Sequence, residues 1–119
     1  MAEDVKMIKA EDFAVRIIEL CKYLRDDCRE FVISNQVFRS ATSIGANIAE
    51  SNYAESRTDF AHKLCIAQKE TNETLYWLKL LYRTRYIDNE TYKSLRNDCS
   101  DILLILSSII RKIRSDLQK

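Results

Sequence analysis

The sequence of 119 residues contains no proline and a single glycine, Gly45. A β-rich protein of this length needs both residues in its turns, because they supply the backbone angles that tight turns require. With 46% hydrophobic and 31% charged residues, the composition instead predicts one all-helical domain. We expect this domain to span residues 1–119, with a short N-terminal extension at residues 1–10.

Long apolar runs are also missing. The N-terminal residues alternate charged and apolar side chains, unlike the uninterrupted apolar segment of a signal peptide. The longest aliphatic run, Ile102–Leu106, is far too short to span a bilayer. The sequence therefore predicts a cytoplasmic protein that does not contact a membrane.

The net charge is only +1, from 19 basic and 18 acidic side chains. A dedicated nucleic-acid-binding protein usually has a clear basic excess. This balance argues against that class but leaves local basic patches open.

Motifs for metal or cofactor chemistry are absent from the sequence. Its four cysteines form no Cys-x-x-Cys pair, there is one histidine, and no glycine-rich phosphate loop is present. We expect three of the cysteines to be reduced core thiols, whereas Cys65 lies off the apolar stripe of its helix and is the best candidate for exposure. No cofactor, metal or small-molecule substrate is predicted.

Four amphipathic segments are visible in the hydrophobic periodicity. The first runs from about Glu11 to Arg29, and the second from Ser34, a candidate N-cap, to about Tyr53. The third follows the candidate cap Ser56, and Asp88 can cap the fourth. Because the connections are short, the segments predict an up-down-up-down antiparallel four-helix bundle.

The second segment has an unusual composition for a helix. Gly45 lies within it and costs about 1 kcal/mol relative to alanine, which only tertiary packing can offset. Its apolar stripe is Val37, Ala41, Ile44 and Ile48. A second, polar stripe consists of Gln36, Ser40, Ser43, Asn47 and Glu50. These short polar groups fit either a solvated face or a semi-buried seam in which hydroxyls and amides pair across helices.

The third segment is apolar on more than one side. Ile66, Trp77 and Leu80 lie away from its core stripe and would form a hydrophobic patch on a monomer. Scattered exposed apolar residues are common on soluble proteins, so the alternative is that these three residues form no interface. Because tryptophan frequently anchors interfaces, we prefer self-association.

Basic residues gather at helix ends. Arg83 and Arg85 lie near tyrosines after the third segment, and Arg111, Lys112 and Arg114 close the fourth. Cations at a helix C-terminus complement the helix dipole, which explains part of the pattern. Arginine beside tyrosine also suits phosphates and bases, so RNA or DNA binding is the alternative.

One pair of residues matches a sequence pattern found in a class of ribonucleases. Arg57 and His62 match the Arg-x4-His spacing of metal-independent ribonucleases found in some helical domains, with His62 as acid or base and Arg57 on the phosphate. This spacing places the two side chains about 140° apart around a helix, and such a pair arises easily by chance. We therefore expect a protein that is not an enzyme.

The run Gln36–Glu50, with its core Ser-Ile-Gly-Ala-Asn-Ile-Ala-Glu, resembles bacterial four-helix-bundle proteins encoded in intervening sequences of large-subunit ribosomal RNA genes. Further matches are Phe60, Leu64, Ile66, Ala67, Glu73, Leu78, Tyr86 and Ile87. The resemblance implies a non-enzymatic scaffold that assembles as a homopentameric ring. Relatives include the accessory variability protein of diversity-generating retroelements, which implies a reverse transcriptase, RNA or DNA as alternative partners.

The residues and the resemblance together predict two surfaces. The surface for self-association comprises Gln36, Ser40, Ser43, Asn47, Glu50, Ile66, Glu73, Trp77 and Leu80. The candidate nucleic-acid-binding residues are Arg83, Arg85, Arg111, Lys112 and Arg114.

Overall fold

The structure, a computed structural model, describes residues 4–118. It contains the helices α1 (Val5–Asp26), α2 (Val32–Ser51), α3 (Arg57–Arg83) and α4 (Asn89–Leu117). Each helix packs against its neighbour in the chain, and α1 also contacts α4, which closes a four-helix bundle. The predicted all-helical bundle is thereby confirmed.

Contacts along the helices establish their antiparallel order. Ser40 in α2 meets Thr74 in α3, whereas Glu50, farther along α2, meets Lys63 near the start of α3. The residue numbers of the two helices therefore run in opposite directions. The same holds for α3 and α4, where Gln68 bonds to Ser107 and Tyr82 stacks on Tyr92.

The core contains the predicted apolar stripe of α2. All four apolar residues of the α2 stripe are fully buried. In α3, Thr74 and Leu81 are fully buried, whereas Leu75 and Tyr82 are only half-buried. Because α3 packs against both α2 and α4, its buried surface is broader than a single stripe and turns toward α2.

The start of α1 differs from the prediction. The helix begins at Val5 rather than near Glu11, because the carboxylate of Asp4 accepts a hydrogen bond from the backbone N–H of Met7 at 3.3 Å. Ala10 is fully buried in the core. The predicted extension is therefore wrong for residues 4–10, which are part of the bundle, while residues 1–3 lie outside the described range.

The start of α2 also needs a correction. Ser34 is fully buried inside the helix and does not cap it. The Glu30 carboxylate instead accepts hydrogen bonds from the backbone N–H groups of Val32, Ile33 and Ser34 at 3.2, 3.2 and 2.7 Å. A longer acidic side chain from the preceding loop thus satisfies the free N–H groups of the first turn.

The other two predicted caps are confirmed. The Ser56 hydroxyl accepts from the Asp59 N–H at 3.0 Å, and the Asp88 carboxylate accepts from the Thr91 N–H at 2.7 Å. Hydrogen bonding to Thr91 lowers the pKa of Asp88 below its ordinary value. No helix within residues 4–118 combines the length and apolarity needed to cross a bilayer.

Candidate interaction surfaces

The polar stripe of α2 divides between the interior and the surface. Ser40 is fully buried, and its hydroxyl lies 2.8 Å from that of Thr74 in α3. Ser40 is therefore a wrong assignment to an interface between copies, because it faces α3 of its own chain. Ser43 and Asn47 are half-buried, and Gln36 and Glu50 are exposed.

A network of polar side chains joins α2 and α3 above this buried pair. Arg39 forms ion pairs with both Glu70, at 3.2 Å, and Glu73. Glu73 also accepts a hydrogen bond from the indole nitrogen of Trp77 at 3.0 Å. The Trp77 ring is thereby fixed on the side of α3 that faces α2. Arg39 carries no signal for this role in the sequence, because its partners are on another helix.

The apolar residues of α3 are less exposed than predicted. Ile66, Trp77 and Leu80 are all half-buried, and Trp77 packs partly against the core. Tyr76 has 54% of its surface exposed and contacts the Trp77 ring edge-to-face at 5.1 Å between centroids. The patch therefore consists of the outer edges of these side chains rather than of bare rings.

Eight of the nine predicted residues nevertheless lie on the surface of two adjacent helices. We call this surface the α2–α3 face: Gln36, Ser43, Asn47, Glu50, Ile66, Glu73, Trp77 and Leu80. Short uncharged groups from α2 adjoin apolar groups from α3. Such a surface can pack against another copy with few charges to desolvate.

The predicted nucleic-acid-binding residues do not form one cluster. Arg83 lies at the end of the bundle where Tyr82 stacks on Tyr92, and Arg114 lies at the other end, where it contacts the Cys65 sulfur at 3.3 Å. From Tyr92 to Arg114, α4 rises about 33 Å. Arg83 and Arg114 therefore lie at opposite ends of the bundle, and their role in nucleic-acid binding stays a prediction.

Arg85 and Lys112, two further predicted basic residues, also lie apart from each other. Arg85 lies in the α3–α4 connection, where it lines a cavity with Tyr23 and Asp88. Lys112 is offset from Arg111 by one position, about 100° around α4. It therefore points away from the side of α4 that contacts α3.

Arg57 and His62 are both exposed at the start of α3. Their spacing places them about 140° apart around the helix axis, and within residues 4–118 no hydrogen bond joins them. The same part of the chain contains no group of histidine, cysteine and carboxylate side chains that could hold a metal ion.

Two cysteines are buried and two are half-buried. Cys21 and Cys99 belong to the core, as predicted, whereas Cys28 is only partly covered. Cys65 is also half-buried, so it is one of the two more accessible thiols rather than the single exposed one. All four are free thiols.

A cavity of about 390 Å³ lies beside the α3–α4 connection and was not predicted. Its apolar wall contains Leu20, Tyr23, Tyr86, Ile87 and Leu95. Arg16 also lines it, but its guanidinium is paired with Asp98 at 2.5 Å. The lining residues come from α1, α4 and the connection. No single segment of the sequence therefore indicates that a cavity is present.

Comparison with known proteins identifies the family. A model of the 23S rRNA-intervening sequence protein matches residues 4–108. The chain belongs to this family. A crystal structure from Bacteroides thetaiotaomicron VPI-5482, described as a protein with unknown function from the S23 ribosomal protein family, superimposes with a TM-score of 0.87 at 54% identity. That match covers 88% of this chain and 97% of the other. No curated protein matches.

The family assignment confirms the resemblance drawn from Gln36–Glu50. In this member of the 23S rRNA-intervening sequence proteins, that run forms most of α2. Its glycine approaches α1: a Cβ built on Gly45 would lie 3.3 Å from the Met7 Cε and 3.7 Å from the Ala10 Cβ. Part of the family-like run is therefore internal packing, and its polar edge forms the α2 half of the α2–α3 face.

Proposed function

We propose that this protein is a non-enzymatic scaffold that self-associates through the α2–α3 face. The observation that carries the proposal is the composition of that face. Trp77, Ile66 and Leu80 present apolar edges beside the uncharged Ser43 and Asn47. A tryptophan held by a hydrogen bond to Glu73 provides a rigid anchor, which lowers the entropy lost on association.

The proposed assembly is a homopentameric ring, as the family resemblance implies. Each copy has the α2–α3 face along a bundle 51 Å long, and a ring forms when this face meets a different surface of the next copy at a closing angle. Partner proteins, including a reverse transcriptase, would then bind the ring surface. The charged network around Arg39 can set the register between copies.

Light scattering coupled to size-exclusion chromatography tests the proposal directly. At micromolar concentration we expect a mass near five times the 14.0 kDa of one chain. The double substitution Ile66→Glu and Leu80→Glu places carboxylates on the half-buried edges of the face. It should give the mass of one chain with an unchanged helical circular dichroism spectrum.

A matched control introduces the same two charges elsewhere. Val15 in α1 and Leu104 in α4 are 52% and 68% exposed and lie outside the α2–α3 face. Val15→Glu with Leu104→Glu should retain the mass of the wild-type assembly. A wild-type protein that elutes as a single chain at micromolar concentration contradicts the proposal.

A further inference from the structure

The near-neutral net charge conceals an unequal distribution of charge around the bundle. The side of α3 that contacts α4 is marked by Cys65, Gln68 and Tyr82, which touch Arg114, Ser107 and Tyr92. Positions three, four or seven residues away share a helix face. Lys69 is four positions after Cys65, Lys79 is three before Tyr82, and Arg83 is four after Lys79. All three are exposed along the outer edge of α3.

The side of α4 that faces α3 also carries basic residues. Ser107 marks the contact with α3, and Arg111 and Arg114 lie four and seven positions after it. Arg96 lies four positions after Tyr92 and covers its ring at 5.4 Å. Lys93 completes the series and is exposed. These side chains continue the basic series of α3 across the groove between the two helices.

We call this surface the α3–α4 basic face: Lys69, Lys79, Arg83, Lys93, Arg96, Arg111 and Arg114. None of these residues forms an ion pair in the part of the chain that the structure describes, where the paired cations are Lys6, Arg16, Arg39 and Lys63. Serine, asparagine and glutamine lie between them, whereas the nearest carboxylates lie at the borders of the face, with Glu73 four positions after Lys69 and Glu90 three before Lys93.

We propose that the α3–α4 basic face binds the phosphodiester backbone of a single-stranded nucleic acid. From Lys93 to Arg114 the face extends about 32 Å along α4, which suits a linear polyanion better than a compact anion. Tyr76 lies between Lys69 and Arg83 on the outer side of α3 and is 54% exposed. An exposed ring among unpaired cations can stack on an unpaired base, which a duplex does not offer.

This inference goes beyond the proposed assembly and does not depend on it. The α2–α3 face uses the side of α3 that carries Glu73 and Trp77, whereas the basic face is centred on the side toward α4, and its Lys69, Tyr76 and Arg83 lie at the border between the two. The α2–α3 face itself therefore leaves Lys79 and the α4 residues of the basic face uncovered. A monomer with an intact basic face would still bind, with lower avidity.

Fluorescence anisotropy with labelled oligo(U) and oligo(dT) tests the inference. For both strands we expect binding that weakens steeply with salt, because phosphate contacts release counterions. The double substitution Lys79→Gln and Lys93→Gln should weaken binding about 25-fold at ~0.1 M salt, since each lost contact with a single strand contributes about fivefold there. The salt dependence should become shallower by about 0.7 per contact.

The control removes the same charge from another side of the bundle. Lys9 and Lys22 are exposed on α1, so Lys9→Gln with Lys22→Gln should leave binding within about twofold of wild type. An equal loss in both double variants overturns the assignment to this face. Absence of binding at low salt, or equally tight binding of polyglutamate, overturns the inference that the partner is a nucleic acid.

A third variant tests the preference for single strands. Tyr76→Leu keeps the charge and should weaken oligo(U) binding about fivefold or more without changing the salt dependence. A duplex of the same length should bind more weakly than the single strand and be insensitive to this substitution. Tight duplex binding together with an unaffected Tyr76→Leu variant contradicts the single-strand assignment.

Discussion

The hydroxyl oxygens of Ser40 and Thr74 lie 2.8 Å apart between α2 and α3, and both side chains are fully buried. Thr74 also donates to the backbone carbonyl of Glu70 at 2.8 Å, so its oxygen accepts the Ser40 proton. Within residues 4–118, the other acceptor near the Ser40 hydroxyl is the Val37 carbonyl at 3.4 Å. The pair therefore links the two helices directly beneath the α2–α3 face.

Removal of either hydroxyl should destabilise the bundle by different amounts. Ser40→Ala should lower the free energy of unfolding by about 1 kcal/mol, because Thr74 keeps its bond to Glu70. Thr74→Val should cost about 1–2 kcal/mol, because Ser40 loses its good acceptor inside the core. Urea denaturation followed by circular dichroism measures both. The double variant should lose less than the sum, and strictly additive losses would show that the hydroxyls are not coupled.

The single glycine should not be required for folding. A Cβ at Gly45 would meet the terminal methyl of Met7 at 3.3 Å, and that flexible side chain can move by a few tenths of an ångström. Gly45→Ala should therefore raise the free energy of unfolding by about 0.5–1 kcal/mol through its higher helix propensity.

The matched control for this prediction is a larger side chain at the same position. Gly45→Leu should destabilise the bundle by about 1–3 kcal/mol, because the added atoms would overlap Ala10 as well as Met7. Thermal unfolding of the two variants separates these effects. A loss of stability in Gly45→Ala would mean that α1 and α2 cannot adjust their packing.

The fold could be predicted because local signals agreed with the helical period. Ser56 and Asp88 are caps whose side chains bond to the N–H groups three residues later, which is a short-range relationship. The error at Ser34 arose because Glu30, in the preceding loop, reaches forward to the N–H groups of the first turn of α2. A short polar residue before an apolar run looks the same whether it caps a helix or lies inside it.

The surfaces were harder to predict because they combine residues from two helices. Nothing in the α2 sequence distinguishes the buried Ser40 from Ser43, which is half-buried. That difference depends on the position of Thr74 in α3. The basic face was predicted only at Arg83, Arg111 and Arg114. Lys79 and Arg96 were missed because they are isolated in sequence and become neighbours of other cations only when α3 and α4 pack.

Because the chain has so few glycines, an arginine occupies a backbone position that usually favours glycine. Arg85 has φ of 69° after the end of α3, where its N–H bonds to the Tyr82 carbonyl at 3.0 Å and the next N–H bonds to Leu81 at 2.9 Å. This is the Schellman arrangement, in which a left-handed residue ends the helix. Arg85→Gly should raise the free energy of unfolding by about 0.5–1 kcal/mol.

Arg83→Gly is the control, because it removes the same charge two residues earlier, inside the last turn of α3. It should lower the stability by about 1 kcal/mol, since glycine is a poor helix former. Chemical denaturation of the two variants should therefore give changes of opposite sign. Equal losses would show that the arginine side chain at position 85, rather than its backbone, governs stability.

The buried thiol of Cys99 should make stability depend on pH in the alkaline range. Burial raises the pKa of Cys99 from 9.0 to about 12, and its sulfur lies 3.5 Å from the Thr71 carbonyl, to which it donates. Above pH 9 the unfolded chain loses this proton while the folded chain keeps it, so stability is complete below pH 9 and falls as pH rises toward 12. The loss in the free energy of unfolding should reach about 1.4 kcal/mol by about pH 10.

The control is Cys99→Ala, which lacks the titrating thiol. Urea denaturation at neutral pH should show that this variant has a lower free energy of unfolding than wild type. At about pH 10 the difference between the two proteins should be smaller by that amount. A constant difference between the two proteins across this range would mean that the Cys99 thiol titrates alike in the folded and unfolded chains.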